Sequence, residues 1–389
     1  MQVMDVDEVV VLGTSSPSAV VRMNSSGEGK ASYANNSDFQ RAIASVTRKV
    51  RRDMAAALYR ARGRPASLAI ADLGCATGPN ALLMVSDAVE AVLAESRNNK
   101  AGAGAPPPQL HVFLNDLPAN DFNAVFRLLP SSPLAAAGCL VSAWPGSFYG
   151  RLFPDDSLDY VVSSSSLHFL SKAPSMATEN LNRGRVYVSA GSPAGVLDAY
   201  RAQFDADFLA FLGCRAAETR PLGVLLLTFV ARRSPRPAAH DCYLWDLLAD
   251  ALMGMAAAGL VDEGRVHAFN APYYAPCPDD LARAVAKEGS FAVRTMRLFD
   301  TSRRRLMHGG GGDDDDDEEV PRWLAGETAG TVRAVVEPML RTHFGWAAMD
   351  GLFCRYRLLL EAYYRSKATR NKDDITNVFL VLEKKQQRH

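Results

Sequence analysis

Ile70-Ala71-Asp72-Leu73-Gly74-Cys75-Ala76-Thr77-Gly78-Pro79-Asn80 places an apolar run ending on an acid directly before a turn with two glycines. The continuous apolar stretch 68–73 reads as a parallel strand covered on both faces, because a half-exposed strand would alternate. Gly74 and Gly78 let the backbone approach a ligand where a side chain would collide. The spacing narrows the ligand. A dinucleotide turn needs G-x-G-x-x-G to seat pyrophosphate on the following helix, whereas here the turn is G-x-x-x-G with no phosphate-binding lysine behind it. An open turn after a strand ending in Asp suits a ligand made of a nucleoside and an amino acid, the shape of S-adenosylmethionine. The bland alternative is an ordinary strand-to-helix turn of an α/β protein.

Further runs reduce that alternative. The run 110–115 leads to Asp116, which therefore stands at a strand's carboxyl end, where open α/β sheets bind ligands and where a carboxylate accepts both ribose hydroxyls. Asp121 reads instead as a helix cap before the amphipathic stretch 122–129. The run 139–143 delivers Trp144-Pro145-Gly146-Ser147-Phe148-Tyr149, the run 158–163 delivers Ser164-Ser165-Ser166-Leu167-His168-Phe169, and 224–231 is one more buried strand. From 243–258 and 329–364 the apolar spacing turns helical, and 376–383 reads as a last strand rejoining the sheet. A cap between two returns to one sheet builds a cleft that excludes water.

Composition sets bounds on function. The 389 residues, 48% of them apolar, can bury a large core, and 43 basic against 43 acidic residues leave no net charge to favour nucleic acid. The cluster Arg48, Lys49, Arg51 and Arg52 is expected to be the solvated face of a helix. Six scattered cysteines lack any C-x-x-C pair and read as reduced, mostly buried thiols. Asp5, Asp7 and Glu8 carry the wrong charge for a signal peptide, and no segment approaches the about 20 apolar residues of a membrane span. A soluble cytoplasmic protein is expected, with no membrane partner. Residues 97–109 read as a surface linker, and Gly309–Gly312 with the acids at 313–319 as a disordered loop, because adjacent carboxylates repel rather than fold around a metal. No G-x-S-x-G elbow occurs, and the serines at 163–166 beside His168 have no identifiable acid partner for nucleophilic catalysis.

In this order and at this spacing the blocks, together with Ser32-Tyr33-Ala34-Asn35-Asn36-Ser37, Gln40 and Phe269-Asn270-Ala271-Pro272-Tyr273-Tyr274, resemble the plant SABATH family of S-adenosylmethionine-dependent methyltransferases over most of the chain. The resemblance implies a Rossmann-like α/β sheet with helices on both faces plus an α-helical cap. It divides the chain into a disordered extension at 1–22, a cofactor-binding domain at 23–235, a helical cap at 236–372 with the acidic loop near 308–319, and a returning strand at 373–389. Members methylate the carboxylate of small plant acids such as salicylate, benzoate, jasmonate and indole-3-acetate, or a ring nitrogen of xanthines, and homodimers are implied.

Carried onto matching positions, the family's cofactor residues are Tyr33, Ser37, Asp72, Cys75, Asn80, Asp116, Leu117, Ser147 and Phe148. Its substrate residues are Gln40, Ser165, His168, Phe169, Leu227, Leu244, Trp245, Tyr274, Val332, Val335 and Ile375. A magnesium or other structural cation would fall at Asn182, the carbonyl of Phe269, and Asn270. No side chain is needed as a general base, since the acid is already ionised. Four positions depart from the pattern. Phe169 replaces a tryptophan whose indole N–H helps hold the carboxylate, leaving His168, Ser166, and the cations or amides near the N-terminal block as substitutes. Ser165 and Ile375 replace bulkier aromatics, which opens room for a long flexible acid of the jasmonate kind, then indole-3-acetate. His267 replaces the acid of the cation set. Two other readings stay open: a ligand-binding protein that has lost efficient transfer, and a xanthine-type N-methyltransferase.

Overall fold

The computed structural model describes residues 37–98, 106–176, 181–304, 319–369 and 372–386. The extension at 1–22, Tyr33 and the acids at 313–318 lie outside them.

Five strands run parallel: β1 (Ser67–Leu73), β2 (Gln109–Asp116), β3 (Leu140–Pro145), β4 (Leu158–Ser164) and β5 (Thr219–Val230). Two more, β6 (Phe291–Thr301) and β7 (Ile375–Lys384), join antiparallel, giving the order β3-β2-β1-β4-β5-β7-β6. The central strands are apolar on both sides because both faces are covered. On one face Ile70, Val112, Val162 and Leu226 pack with Leu58 of α1 (Asp38–Ala61) and Val85 of α2 (Pro79–Arg97). On the other, Ala71, Leu73, Val161, Leu225 and Leu227 pack with Phe204, Phe208 and Phe211 of α5 (Ala194–Glu218). The short helices α3 (Phe122–Leu128) and α4 (Pro133–Ala136) fill the β2-to-β3 connection, and Asp121 caps α3 by accepting from the Ala124 N–H at 3.0 Å.

The cap has its own core. Leu248 and Leu252 of α6 (Ala239–Ala257), Leu324 and Leu340 of α9 (Glu319–Phe344), and Leu352 and Tyr356 of α10 (Met349–Arg365) are buried together, and Phe169 from the sheet domain belongs to the same cluster. The apolar spacing over 329–364 is divided at Gly345, whose φ of 88° ends α9 before α10 begins. Between α6 and α9 lie α7 (Glu263–Ala268), α8 (Pro278–Glu288) and β6.

β6 is a difference from the sequence reading, which made 236–372 helical. It is an edge strand, mostly half-buried or exposed, with Arg294 paired to Glu383 of β7 at 2.5 Å, so it shows neither a buried apolar run nor clean alternation. The basic cluster on α1 is also more than a solvated face. Arg48 and Lys49 are exposed, but Arg51 is buried, donates to the Ala44 carbonyl at 2.7 Å and pairs with the buried Asp87 of α2. All six cysteines are unbridged; Cys75, Cys242 and Cys277 are buried and Cys354 is exposed. Among the described residues no helix is long and apolar enough to cross a membrane.

Candidate active site

The β1 turn is fastened to its neighbours by backbone and by the side chains of Asp116, Asn120 and Ser166. Gly74 and Cys75 both donate to the Asn115 carbonyl at 2.9 Å. Asp116, at the end of β2, accepts from the Ala76 N–H and from the Leu117 N–H, each at 2.7 Å. The Asn115 amide in turn donates to the carbonyls of Trp144 at 2.7 Å and Gly146 at 3.0 Å, which sets the loop bearing Ser147 and Phe148. Gly74 is required here: its φ is 80°, and a Cβ would fall 2.3 Å from the Ser166 hydroxyl and 3.4 Å from the Phe148 ring. That hydroxyl donates to the Gly74 carbonyl at 3.0 Å, tying the β4 loop to the turn.

The turn is electrostatically incomplete. Asp72 is buried, its Oδ1 has no hydrogen-bond partner among the described residues, and burial followed by the charge of Asp116 pushes its pKa up to about 8. Burial also raises Asp116, against which its two N–H donors work, and raises the Cys75 thiol well above its usual value. A cation placed among these groups would relieve them all. An α-ammonium next to a sulfonium supplies it, so the turn fits S-adenosylmethionine on its chemistry. Two other expected cofactor residues are engaged within the fold: the Asn80 amide donates to the Ser37 carbonyl at 3.1 Å, and Ser147 accepts from the Tyr149 N–H at 3.3 Å. Phe148 meets Tyr149 and Phe211 edge to face, at 4.8 and 5.9 Å between ring centres.

A cavity of ≈ 150 Å³ lies between the sheet and the cap. That is about ten times what a single water requires. Gln40, Ser165, His168, Phe169, Leu244, Trp245, Val332, Val335 and Ile375 line it, drawn together from α1, the β4 loop, α6, α9 and β7. Leu227 and Tyr274 do not. Leu227 is fully buried in β5, and the Tyr274 hydroxyl, also in the core, donates to Asp280 at 3.0 Å and accepts from Arg232 at 2.7 Å. Tyr273 takes the lining position instead, its ring 5.1 Å from both His168 and Trp245, because neighbours on extended backbone face opposite ways.

His168 has a fixed tautomer. Its Nδ1 accepts from the Val230 N–H at 3.2 Å, and burial lowers its pKa to about 3, so the ring is neutral and its proton resides on Nε2. Ser166, the other candidate for replacing the missing indole donor, has its hydroxyl committed to backbone carbonyls. The lining also holds polar atoms without partners among the described residues: Gln40 Oε1, Ser165 Oγ and His240 Nδ1. Ser165 has a φ of 58°, backbone strain that aims this residue. Phe39, His240, Tyr273 and Arg303 also line the cavity and were not anticipated; Phe39 and Tyr273 stand beside expected residues of quoted blocks, whereas the contexts of His240 and Arg303 carry no motif.

The proposed cation set does not fit a hard dication. The Asn182 side chain is closed on itself, donating to the Tyr187 carbonyl at 3.0 Å and accepting from Ser192 at 2.9 Å. His267 accepts from the Gly184 N–H through Nδ1 at 3.1 Å. No group of three or more His, Cys, Asp or Glu side chains suited to a metal occurs among the described residues. Asn270 Oδ1 is buried with no hydrogen-bond partner among the described residues, but the carboxylate beside His267, Glu263 at 3.3 Å, is largely exposed, and one neutral amide oxygen does not hold magnesium.

An open turn at the carboxyl end of β1, a carboxylate at the end of β2 and a capped cavity define a methyltransferase of the Rossmann-like class. The chain belongs to the S-adenosylmethionine-dependent carboxyl methyltransferase family, whose pattern it matches over residues 18–385. It is 39% identical over 371 residues to jasmonate O-methyltransferase of Arabidopsis thaliana, covering 89% of this chain and 94% of that one. It is 39% identical to salicylate carboxymethyltransferase of Clarkia breweri, over 92% of this chain and 96% of that one, and 35% identical to a probable caffeine synthase 4 of Camellia sinensis, at the same coverages. Among solved structures, loganic acid methyltransferase with S-adenosylhomocysteine superposes with a TM-score of 0.80 at 28% identity, covering 94% of this chain and 99% of that chain.

Proposed function

We propose that the protein transfers the methyl group of S-adenosylmethionine to the carboxylate of a small plant acid, with a jasmonate-like acid preferred over indole-3-acetate, salicylate or benzoate. The observation that carries the reading is the neutral donor His168, its Nε2–H unengaged, lining a capped cavity with the Gln40 amide, on the loop that Ser166 ties to the cofactor turn. In the proposed arrangement Asp116 receives the ribose, Phe148 the adenine, and Asp72 the ammonium. Gln40 and His168 hold the acid with one oxygen free to face the methyl group.

The bound cofactor supplies an already activated methyl on a sulfonium. The acid arrives ionised, so no proton has to be removed. What remains is alignment, and holding two reactants in line accounts for about 7 to 11 kcal/mol of barrier. Neutral donors suit this task, because they fix the carboxylate without neutralising its nucleophilic oxygen. Ser165 and Ile375 leave space in the cavity wall for a longer acid than a benzoate.

The test is to incubate the purified protein with S-adenosylmethionine labelled in its methyl group and a panel of jasmonate, indole-3-acetate, salicylate, benzoate and xanthosine. Label in one methyl ester identifies the acid; label in xanthosine alone would favour ring-nitrogen transfer, which the caffeine synthase relatives support as a second reading. Cofactor binding with no labelled product would make it a binding protein. A homodimer and a cytoplasmic location belong to the same proposal, the first testable by light scattering and the second by fractionation.

A further inference from the structure

Arg303 is a cation inside the capped cavity with no anion of its own. It is 9% exposed, lines the cavity, and lies over the Phe39 ring at 4.5 Å. Among the described residues it forms no ion pair. Burial lowers its pKa, and the groups that oppose this are the phenols of Tyr364, Tyr243 and Tyr356 and the exposed Glu327. Arginine nevertheless stays protonated in proteins. Of the two carboxylates in the lining, Asp241 accepts from the Ala238 N–H at 2.7 Å at the start of α6, and neither it nor Asp374 pairs with Arg303. A desolvated guanidinium facing a cavity is costly unless something with oxygen enters.

Its place in the sheet says which end of the substrate it meets. Arg303 follows β6, four strands from β1 in the order β1-β4-β5-β7-β6. At ~4.8 Å per strand its backbone stands about 19 Å across the sheet from the cofactor turn and about 14 Å from the backbone of the β4 loop with His168. The chemistry agrees. A guanidinium beside the reacting oxygen would draw off its negative charge and repel the sulfonium. We propose that Arg303 is a specificity-determining residue, its guanidinium binding an oxygen acceptor that the substrate carries at the end remote from the methylated carboxylate.

The proposal rests on the methyl-transfer reading for which end reacts, so its test reads binding rather than turnover. Calorimetric titration in the presence of S-adenosylhomocysteine would compare jasmonate, which has a ring carbonyl, with the analogue in which that carbonyl is a methylene. The wild type should prefer the keto acid by about tenfold to a hundredfold, as expected for a buried hydrogen bond to a charged donor. Arg303→Met should bring the two acids together without weakening the analogue, and Arg303→Lys should keep part of the preference. Thermal unfolding of each variant checks that the fold is intact. Equal weakening of both acids by Arg303→Met, an unchanged ratio, or no preference in the wild type, including failure to bind either acid, would overturn the proposal. Absence of methyl ester with the binding preference intact would count against methyl transfer alone.

Discussion

The two ends of the site are built on opposite plans. At the β1 end the backbone does most of the positioning. Asn115 and Asp116 hold the turn through main-chain donors within two adjacent strands, and Asp72 is an acid whose Oδ1 has no hydrogen-bond partner among the described residues. At the cap end, side chains from five elements converge, and the group without a counter-charge is a base, Arg303. One end is ready for a cation and the other for an oxygen acceptor at the far end of the acid, so the polarity of the site orders its two substrates.

The largest expected effect tests the backbone plan. Gly74→Ala should destabilise the fold by about 2 to 5 kcal/mol, summing overpacking against Ser166 and the cost of a positive φ. Denaturant unfolding measures it; a change below about 0.5 kcal/mol would mean that the turn is not held as described.

Asp72→Asn sharpens the comparison, because the amide resembles the protonated acid. Cofactor affinity should fall about tenfold to a hundredfold while the unliganded protein loses no stability, since the interaction lost is with a charged ligand group. Calorimetry and thermal unfolding together separate this from a structural role, in which both would fall.

The same residue predicts a pH dependence whose sign is fixed. A folded pKa of about 8 against an unfolded value of about 3.9 means that the native state binds the extra proton between them. The contribution of Asp72 to unliganded stability is therefore fully present below about pH 4 and is lost as pH rises towards about 8. Cofactor binding should release a proton at neutral pH and tighten as pH rises through that window, which titration in buffers of different ionisation enthalpy detects. Proton uptake would contradict the assignment.

The first end was legible in sequence because its signals are local: an apolar run, two glycines and an acid at a strand end all lie within a few residues. Asp121 was readable as a cap for the same reason. The second end was legible only where a block matched a family pattern, and even there the register between adjacent residues was lost, as Tyr273 and Tyr274 show. Arg303 and His240 owe their roles to the return of β6 and the start of α6 to one cavity, and no periodicity announces that. β6 itself was hidden because an edge strand buries too little to pattern its sequence.

The smallest effect follows from that register. Tyr274→Phe should cost about 1 to 3 kcal/mol of stability by leaving Arg232 and Asp280 one partner short, while KM for the acid stays unchanged. A raised KM with unaltered stability would return Tyr274 to the cavity wall.

The most direct test of the account is the pH profile of kcat for methyl ester formation at saturating cofactor and acid. With an ionised acid, a neutral His168 and catalysis by alignment alone, the rate should be flat between about pH 6 and pH 9. A limb rising tenfold per pH unit in that range would reveal an essential base and contradict it.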